Sequence, residues 1–364
     1  MGFEGLSTYQ FRNLEDAYIP LGDKNILFVG ENGQGKTNFL EAVYLLCFGS
    51  SFRTSQERLF ITYGRDSFRV SGRYIRNGGV DLDISVGYSE GSKRVTVDEK
   101  EIRDRKDLVK NIPCIVFSHD DIGFINGPPE AKRKFLNQVM SLFNPLYIDL
   151  LRRFRKILRM RNALLKEGRS GDIDVYDTQL AETGMEIQRR RRETVDDFGG
   201  TFQDLFSRIS GLPGEARMVY KPSWRRAEND ADARAFLAEK IDTDREAGFT
   251  TSGPHRDRIV YLYEGRDFSG TASTGQLRLM SLILRVAQAN YFEKKTGRRP
   301  ILLLDDVLLE LDERKTESFI AALPAYEQAF FTFLSKEKYR RLGLEGDARI
   351  FSVREGRYTE EAKL

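Results

Sequence analysis

The sequence contains few of the residues that build disulfide frameworks and zinc sites. Of 364 residues, two are cysteines, Cys47 and Cys114, and two are histidines, His119 and His255. Both cysteines lie in apolar segments, so we interpret them as small core residues. The histidines are far apart and lack Cys-x-x-Cys partners, which argues against a structural zinc site. With no secretion signal either, the sequence indicates a protein of the reducing cytoplasm.

Long apolar runs are also missing. No segment of the sequence is long and apolar enough to cross a bilayer, and the N-terminus has no charged-then-apolar signal. The composition, 40% hydrophobic and 31% charged, is that of an ordinary folded protein with room for one large core and a smaller one. A net charge of +3 says little by itself about nucleic-acid binding.

An octapeptide near the N-terminus fits the phosphate-binding loop. It reads GENGQGKT and fills every fixed position of G-x-x-x-x-G-K-[ST]. Before it, Asn25 to Val29 has the pattern of a buried strand, and Asn38 to Phe48 that of a helix, so the loop would aim a helix N-terminus at an anion. The alternative is a Gly-rich turn that matches by accident. We predict ATP contacts at Gly30, Glu31, Asn32, Gly33, Gln34, Gly35, Lys36 and Thr37.

Two carboxylates near the other end of the chain complete this prediction. Asp305 and Asp306 follow the apolar run Ile301 to Leu304, which we expect to be a strand beside the loop strand. We predict that Thr37 and Asp305 ligate Mg²⁺ and that Asp306 orients and deprotonates the attacking water, with Lys36 as the second catalytic group. The alternative is that the two carboxylates merely end a buried strand.

The pattern of apolar residues divides the chain into three parts. We predict a strand-rich part of an α/β lobe at 1–124, a mainly helical lobe at 125–245, and the rest of the α/β lobe at 246–364. The loop and the paired carboxylates are far apart in sequence, so the fold must tolerate a large insertion. The expected elements include strands 68–75, 80–88, 93–97 and 259–263, and helices 176–198 and 275–292.

The tetrapeptide Ser273 to Gln276 opens the helix that precedes the carboxylate strand. Ser273 is a natural N-cap, and a capped helix start is the simpler interpretation. An exposed helix N-terminus with a serine hydroxyl and a bare glycine can also hold a γ-phosphate from a second subunit. Its position, about thirty residues before the carboxylates, is where ATP-binding-cassette signatures lie, so we predict that Ser273, Gly275 and Gln276 act in trans.

These motifs resemble the SMC-like head-domain ATPases of DNA repair and, more narrowly, the RecF family of bacterial recombination mediators. The resemblance runs almost end to end in the expected order. It rests on Phe11-Arg12-Asn13, the loop, Ser51-Phe52-Arg53, Phe117-Ser118, the particular string Thr251-Ser-Gly-Pro-His-Arg256-Asp257, Ser273 to Gln276, and Leu304-Asp305-Asp306-Val307 with Glu310-Leu311-Asp312. Among the departures, Arg258 stands where a second aspartate would follow Asp257.

The resemblance implies an α/β fold, with an ABC-type P-loop ATPase lobe built from both chain ends and an inserted helical lobe. Two ATP molecules would lie in a homodimer that closes on DNA, and slow hydrolysis would open it. The family acts with RecR and RecO to load recombinase at gapped DNA and supports the SOS response. Two alternatives remain open, a P-loop small-molecule phosphotransferase and a structural ATP-gated head module.

The resemblance suggests DNA as a ligand for two arginine-rich segments. Taken alone, each is better interpreted as a solvated helix face. In a DNA-binding family they become candidate phosphate contacts. We name Arg152, Arg153, Arg155, Arg189 and Arg190 as candidate DNA-binding residues.

Overall fold

The computed structural model describes residues 2–76, 78–104, 106–168, 173–335 and 348–361. In chain order the strands are β1 (Gly2–Tyr9), β2 (Ala17–Pro20), β3 (Asn25–Val29), β4 (Phe68–Ile75), β5 (Leu82–Ser89), β6 (Ser92–Val97), β7 (Lys100–Glu101), β8 (Cys114–Phe117), β9 (Ala216–Lys221), β10 (Arg258–Tyr263), β11 (Arg266–Asp267), β12 (Ile301–Leu304), β13 (Gln328–Phe333), β14 (Ala348–Arg354) and β15 (Arg357–Glu360).

The helices frame these strands along the chain. They are α1 (Lys36–Phe48), α2 (Lys106–Asn111), α3 (Gly123–Asn126), α4 (Pro129–Phe143), α5 (Leu146–Glu167), α6 (Ile173–Ser210), α7 (Asp230–Glu239), α8 (Ile241–Ala247), α9 (Phe268–Thr271), α10 (Thr274–Thr296) and α11 (Glu313–Ala322). None of these helices combines the length and apolar character needed to span a membrane, within the described residues.

The chain folds into two compact units. The first contains Met1–Asp120 and Gln288–Leu364, and the second contains Asp121–Ala287. Residues 246–287, which the sequence-based division assigned to the α/β lobe, thus lie in the second unit. The reason is local pairing, because β10 hydrogen-bonds along its whole length to β9.

The first unit is built on two sheets with α1 against both. One is antiparallel, in the order β2-β1-β4-β5-β6-β7, and the other runs β15-β14-β3-β13-β12-β8, parallel except for β15. Helix α1 contacts β4 and β5 of the first sheet and β8 and β13 of the second. Burial on two sides explains why its apolar residues from Phe39 to Cys47, apart from the partly buried Tyr44, are fully buried.

The order of the parallel sheet corrects one expectation. The strand that carries the two carboxylates was predicted to lie beside the loop strand, and this is wrong. Strand β13 lies between them and pairs in parallel with β3 on one side and β12 on the other. Every residue of β13 is buried, as its apolar sequence requires of a strand covered on both faces.

The second unit is mainly helical, with a small antiparallel sheet in the order β11-β10-β9. Helices α5 and α6 pack along each other, and α6 also contacts β9 and α7. Helix α6 is longer than the predicted 176–198, since Phe202, Leu205 and Phe206 continue its buried face beyond Gly199 and Gly200. The helix therefore continues through two glycines, each of which lowers its stability modestly because glycine has a low helix propensity.

Candidate functional site

The phosphate-binding loop joins β3 to α1 inside the first unit, as predicted. The Gly30 N–H donates to the carbonyl oxygen of Phe333, 3.1 Å away, and so continues the bond network of the sheet. A Cβ on Gly30 would overlap the carbonyl oxygen of Val353. Gly33 and Gly35 have φ of 78° and 114°, which side-chain-bearing residues rarely adopt. The three glycines are thus required by close approach or by backbone conformation.

Lys36 directs its ammonium into the loop. Its Nζ donates to the carbonyl oxygens of Gly30 (2.7 Å) and Glu31 (2.9 Å) and lies 3.9 Å from the Asp306 carboxylate. The side chain is only 3% exposed, and this burial lowers the pKa of Lys36, against the opposing effect of Asp306 and Asp305. The cation is therefore held at the loop by two main-chain oxygens, beside the paired carboxylates.

The paired carboxylates reach the loop although β13 separates their strand from β3. The Thr37 hydroxyl donates to Asp305 Oδ1 at a distance of 2.8 Å. Burial raises the pKa of Asp305 to about 6. The Asp306 N–H donates to the hydroxyl of Thr332 (2.7 Å), which lies 3.0 Å from Asp306 Oδ1. Asp306 has a left-handed backbone, with φ of 53°, so its position is set by the turn as well as by this bond.

Strands β14 and β15 hold the loop from the C-terminal end of the chain, a support that sequence reasoning missed. At their turn, the Gly356 N–H donates to the main-chain oxygen of Gln34 (2.8 Å), and the Glu355 N–H donates to its side-chain Oε1 (2.7 Å). The Tyr358 hydroxyl donates to the Gly35 oxygen (3.0 Å). Gly356 has φ of 79°, and a Cβ there would overlap the Asn13 oxygen. These bonds join residues more than 300 positions apart, so no local pattern indicates them.

The arginines flanking the loop bind a carboxylate that belongs to α1. An arginine beside a phosphate-binding loop can pair with phosphate or with a carboxylate, and Arg12 and Arg53 do the latter. Arg12 makes two bonds to Glu41, 2.8 and 2.9 Å long, and Arg53 Nη1 lies 3.5 Å from the same group. Glu41 is fully buried, and the Ser51 hydroxyl also donates to it. A buried carboxylate on α1 thus accounts for both arginines.

The signature residues lie in the second unit at the start of α10. Ser273 and Gln276 form a reciprocal cap, since the Ser273 N–H donates to Gln276 Oε1 (2.8 Å) and the Gln276 N–H donates to Ser273 Oγ (3.3 Å). Ser273, Thr274 and Gly275 are exposed, and no atom lies within 4 Å of a Cβ placed on Gly275. The helix N-terminus is therefore accessible and its glycine backbone uncovered.

The candidate DNA-binding arginines fall into different environments. Arg152, Arg153 and Arg155 are exposed on α5, where Asp149 lies 3.4 Å from Arg152 and Glu182 lies 3.9 Å from Arg153. Arg189 and Arg190 on α6 both bind Glu186, over 2.8 and 2.5 Å. The α6 pair is therefore largely neutralised by its own helix. Two neighbours in the same segments, Arg161 and Arg191, are buried in ion pairs and do not face solvent.

Comparison with known proteins shows the family to which this chain is related. The model described as RecF/RecN/SMC N terminal domain matches residues 3–357. The DNA replication and repair protein RecF of Treponema pallidum (strain Nichols) is 40% identical over 353 residues, covering 96% of this chain and 99% of that protein. The chain belongs to the RecF family. RecF of Leptospira interrogans (serovar copenhageni) is 31% identical over 367 residues, with 98% and 99% covered.

Solved structures confirm the fold predicted for the RecF family. The recombination mediator RecF with ATP, of the RecFOR pathway, superposes with a TM-score of 0.90 at 28% identity and covers 99% of this chain and 98% of that one. The head domain of Smc bound to the C-terminal winged helix of ScpA superposes with a TM-score of 0.59 at 15% identity, a likeness of fold alone. The α/β ATPase head of SMC and ABC type is thereby confirmed.

Proposed function

We propose that the protein is an ATP-binding recombination mediator of DNA replication and repair, and that ATP binding closes a homodimer of it on DNA. The observation that carries the proposal is the cluster of Lys36, Thr37 and Asp305 at a formed phosphate loop, in a chain that aligns with RecF over nearly its full length. RecR and RecO are the protein partners that the family relationship suggests, and the SOS response is the setting.

The residues at the loop fit a magnesium ion with bound ATP. Magnesium takes oxygen ligands at about 2.0–2.1 Å in an octahedron, so two adjacent ligands lie about 2.9 Å apart. The Thr37 and Asp305 oxygens are 2.8 Å apart, which suits such a pair. Lys36 would exchange its two carbonyl contacts for phosphate oxygens, and the loop from Gly30 to Gly35 would supply backbone N–H groups.

Asp306 and Lys36 would carry the chemical step. The ion, when bound, would neutralise charge that develops on the phosphate oxygens. Asp306 would accept the proton of the attacking water, and Thr332 holds that carboxylate in place. Among the described residues, the Lys36 ammonium donates only to two main-chain oxygens, and its nearest carboxylate is 3.9 Å away, so it is available to phosphate.

The second half of each site would come from another copy of the chain. Ser273 and Gly275 lie at an accessible helix N-terminus, where backbone N–H groups and the helix dipole favour an anion. Gln276 fixes the cap and so sets the direction of the Ser273 hydroxyl. We propose that this surface meets the γ-phosphate bound to the partner's loop.

A Lys36→Met variant tests the nucleotide site. It removes the ammonium and keeps an apolar stem of similar length, so ATP-dependent retention on DNA should be lost. The exposed Lys100 provides a matched control, since Lys100→Met removes the same charge from β7, the edge strand of the antiparallel sheet, which does not carry the loop. ATP binding followed by a fluorescent analogue, and DNA binding with and without ATP, are the measurements. Normal binding of both ligands by Lys36→Met would show that the site is assigned wrongly.

A Ser273→Arg variant tests the dimer and separates the rival functions. A bulky cation at this helix N-terminus should abolish ATP-dependent dimerisation, measured by light scattering with and without DNA, while leaving ATP binding by single chains unchanged. A small-molecule phosphotransferase would be indifferent to DNA. A structural head module would dimerise with ATP but show no turnover.

A further inference from the structure

The second unit contains a cationic cleft that the nucleotide site does not use. It encloses about 880 Å³ between the end of β9, the start of β10 and helix α7. Six basic and two acidic side chains line it, and one of the acids, Asp232, is engaged in capping α7. The basic residues that form what we call the cationic cleft are Lys221, Arg225, Arg226, Lys240, Arg256 and Arg258.

Two residues that line the cationic cleft, Thr251 and Arg256, belong to the string from Thr251 to Asp257 that most strongly marked the family resemblance. Apart from that of Arg256, its side chains are engaged in structure. Thr251 bonds Asp244, and Ser252 accepts the indole N–H of the fully buried Trp224 (3.1 Å). The buried Asp257 accepts from Gln188, Arg191 and the Ser223 N–H, each over 2.8 Å. In this string, the charged side chain left exposed is that of Arg256.

The same packing settles the roles of two further residues. Trp224 is completely buried, and this rules out a role in stacking on exposed bases. His255 contacts the main chain, with its Nε2 2.9 Å from the Thr250 oxygen. Both residues thus anchor the two chain segments that present the basic side chains.

In the part of the chain that the structure describes, three arginines of the cleft have no acidic partner, whereas several exposed arginines elsewhere in this unit do. Among the described residues, Arg225, Arg226 and Arg258 have no carboxylate oxygen within 4.0 Å and no side-chain hydrogen bond, and Arg256 lies over the ring of Phe249. By contrast, Arg152, Arg189, Arg190, Arg217 and Arg245 all have acidic neighbours.

The strand register adds a like-charge contact. Arg258 on β10 is directly opposite Lys221 on β9. Like charges directly opposite each other in an antiparallel pair destabilise it. The adjacent Arg256 and the cations at 225 and 226 increase this repulsion. Such an arrangement becomes favourable when a polyanion neutralises several of the charges at once.

We propose that the cationic cleft binds the sugar-phosphate backbone of DNA, an inference that rests on the proposed DNA-binding function. Long flexible cations around one cleft suit successive phosphates, which fix a duplex or single strand without reading its sequence. An acidic peptide would also suit an arginine cluster, but DNA is the polyanion that the proposed function already supplies, and its backbone carries a charge at every nucleotide. DNA therefore engages this surface before it engages the arginines of α6, which already have glutamate partners.

The test uses the full-length chain with ATP and Mg²⁺ and measures binding to labelled duplex and single-stranded oligonucleotides over a range of salt. In the Arg225→Ala/Arg258→Ala variant, the slope of log affinity against log salt should fall by about one for each phosphate that the variant no longer binds. At 0.1 M salt, affinity should fall roughly tenfold for each arginine removed. An Arg225→Lys/Arg258→Lys variant should recover most of the slope.

The matched control is Arg217→Ala/Arg234→Ala, which removes two exposed charges from β9 and α7 outside the cleft. It should bind DNA like the parent chain, and all variants should bind ATP normally. A loss confined to the duplex or to the single strand identifies which backbone is bound. If the cleft variant keeps the parent slope while Arg152→Ala/Arg153→Ala lowers it, the inference fails and the proposed function stands. If the parent chain binds no DNA, both fail.

Discussion

Replacing Asp305 by Asn should stabilise the protein without nucleotide while removing its response to Mg²⁺ and ATP. Burial raises the pKa of Asp305 to about 6, against an ordinary value of 3.8. A carboxylate whose pKa is raised on folding opposes folding when ionised. This penalty is absent below pH 3.8 and complete above pH 6, and at 1.36 kcal/mol per pKa unit it amounts to about 3 kcal/mol. Asparagine is uncharged and can still accept the Thr37 hydroxyl proton.

Urea unfolding at pH 8 and at pH 4 measures the first effect. The variant should gain about 3 kcal/mol at pH 8 and almost nothing at pH 4. Asp306→Asn is the matched control, because the Asp306 side chain is 29% exposed and should gain far less. Adding Mg²⁺ and ATP at a hundred times the dissociation constant should stabilise the parent by about 2.7 kcal/mol and the Asp305 variant by much less.

The Asp305→Asn variant should thus be more stable than the parent without nucleotide, and should gain less stability than the parent from Mg²⁺ and ATP. A generally damaging substitution would lower stability at both pH values. If Asp305→Asn is no more stable than the parent at pH 8, the burial penalty assigned to this carboxylate is wrong. If it is more stable but still gains fully from Mg²⁺ and ATP, Asp305 is not the metal ligand.

Three further substitutions test the supports of the two units. Gly356→Ala needs a strained left-handed backbone and overlaps Asn13, so it should weaken ATP binding measured by calorimetry. Burial lowers the pKa of His255 to about 4, so the folded state disfavours the protonated ring. The contribution of His255 to the free energy of unfolding is therefore complete above pH 6.5 and is lost as the pH falls towards 4. At pH 5 the loss is about 2 kcal/mol, which His255→Gln should remove in urea unfolding. Arg161→Met leaves Asp177 and Asp244 unpaired and buried, and should cost about 3–5 kcal/mol in the same assay.

The loop, the strand before it and the helix after it were predictable because each is encoded locally. Glycine conformations, an apolar strand and helical periodicity all lie within Asn25 to Phe48. Strands β4 and β12 also have the predicted limits. The comparisons leave the site residues as predictions.

Long-range arrangement was less accessible to sequence reasoning. The sequence of an apolar strand does not show which strands it pairs with. The position of β13 between β3 and β12 could therefore not be predicted, and neither could the contact of Thr332 on β13 with Asp306. The same holds for Gly356 at Gln34, since a turn glycine looks alike wherever it packs. Arg161 and Arg191 lie in arginine-rich segments whose sequence is typical of a solvated helix face. Their burial depends on distant carboxylate partners, Asp244 and Asp257, which no local pattern indicates.

The order of strands in the parallel sheet has a consequence for biosynthesis. Strand β3 leaves the ribosome early, yet both of its neighbours, β13 and β14, are translated roughly 300 residues later. At about 5–20 residues per second, the loop strand waits about 15–60 s for the strands that pair with it. The second unit, whose residues are contiguous, can fold during that interval. Chains terminated prematurely would therefore present a folded second unit without a nucleotide switch.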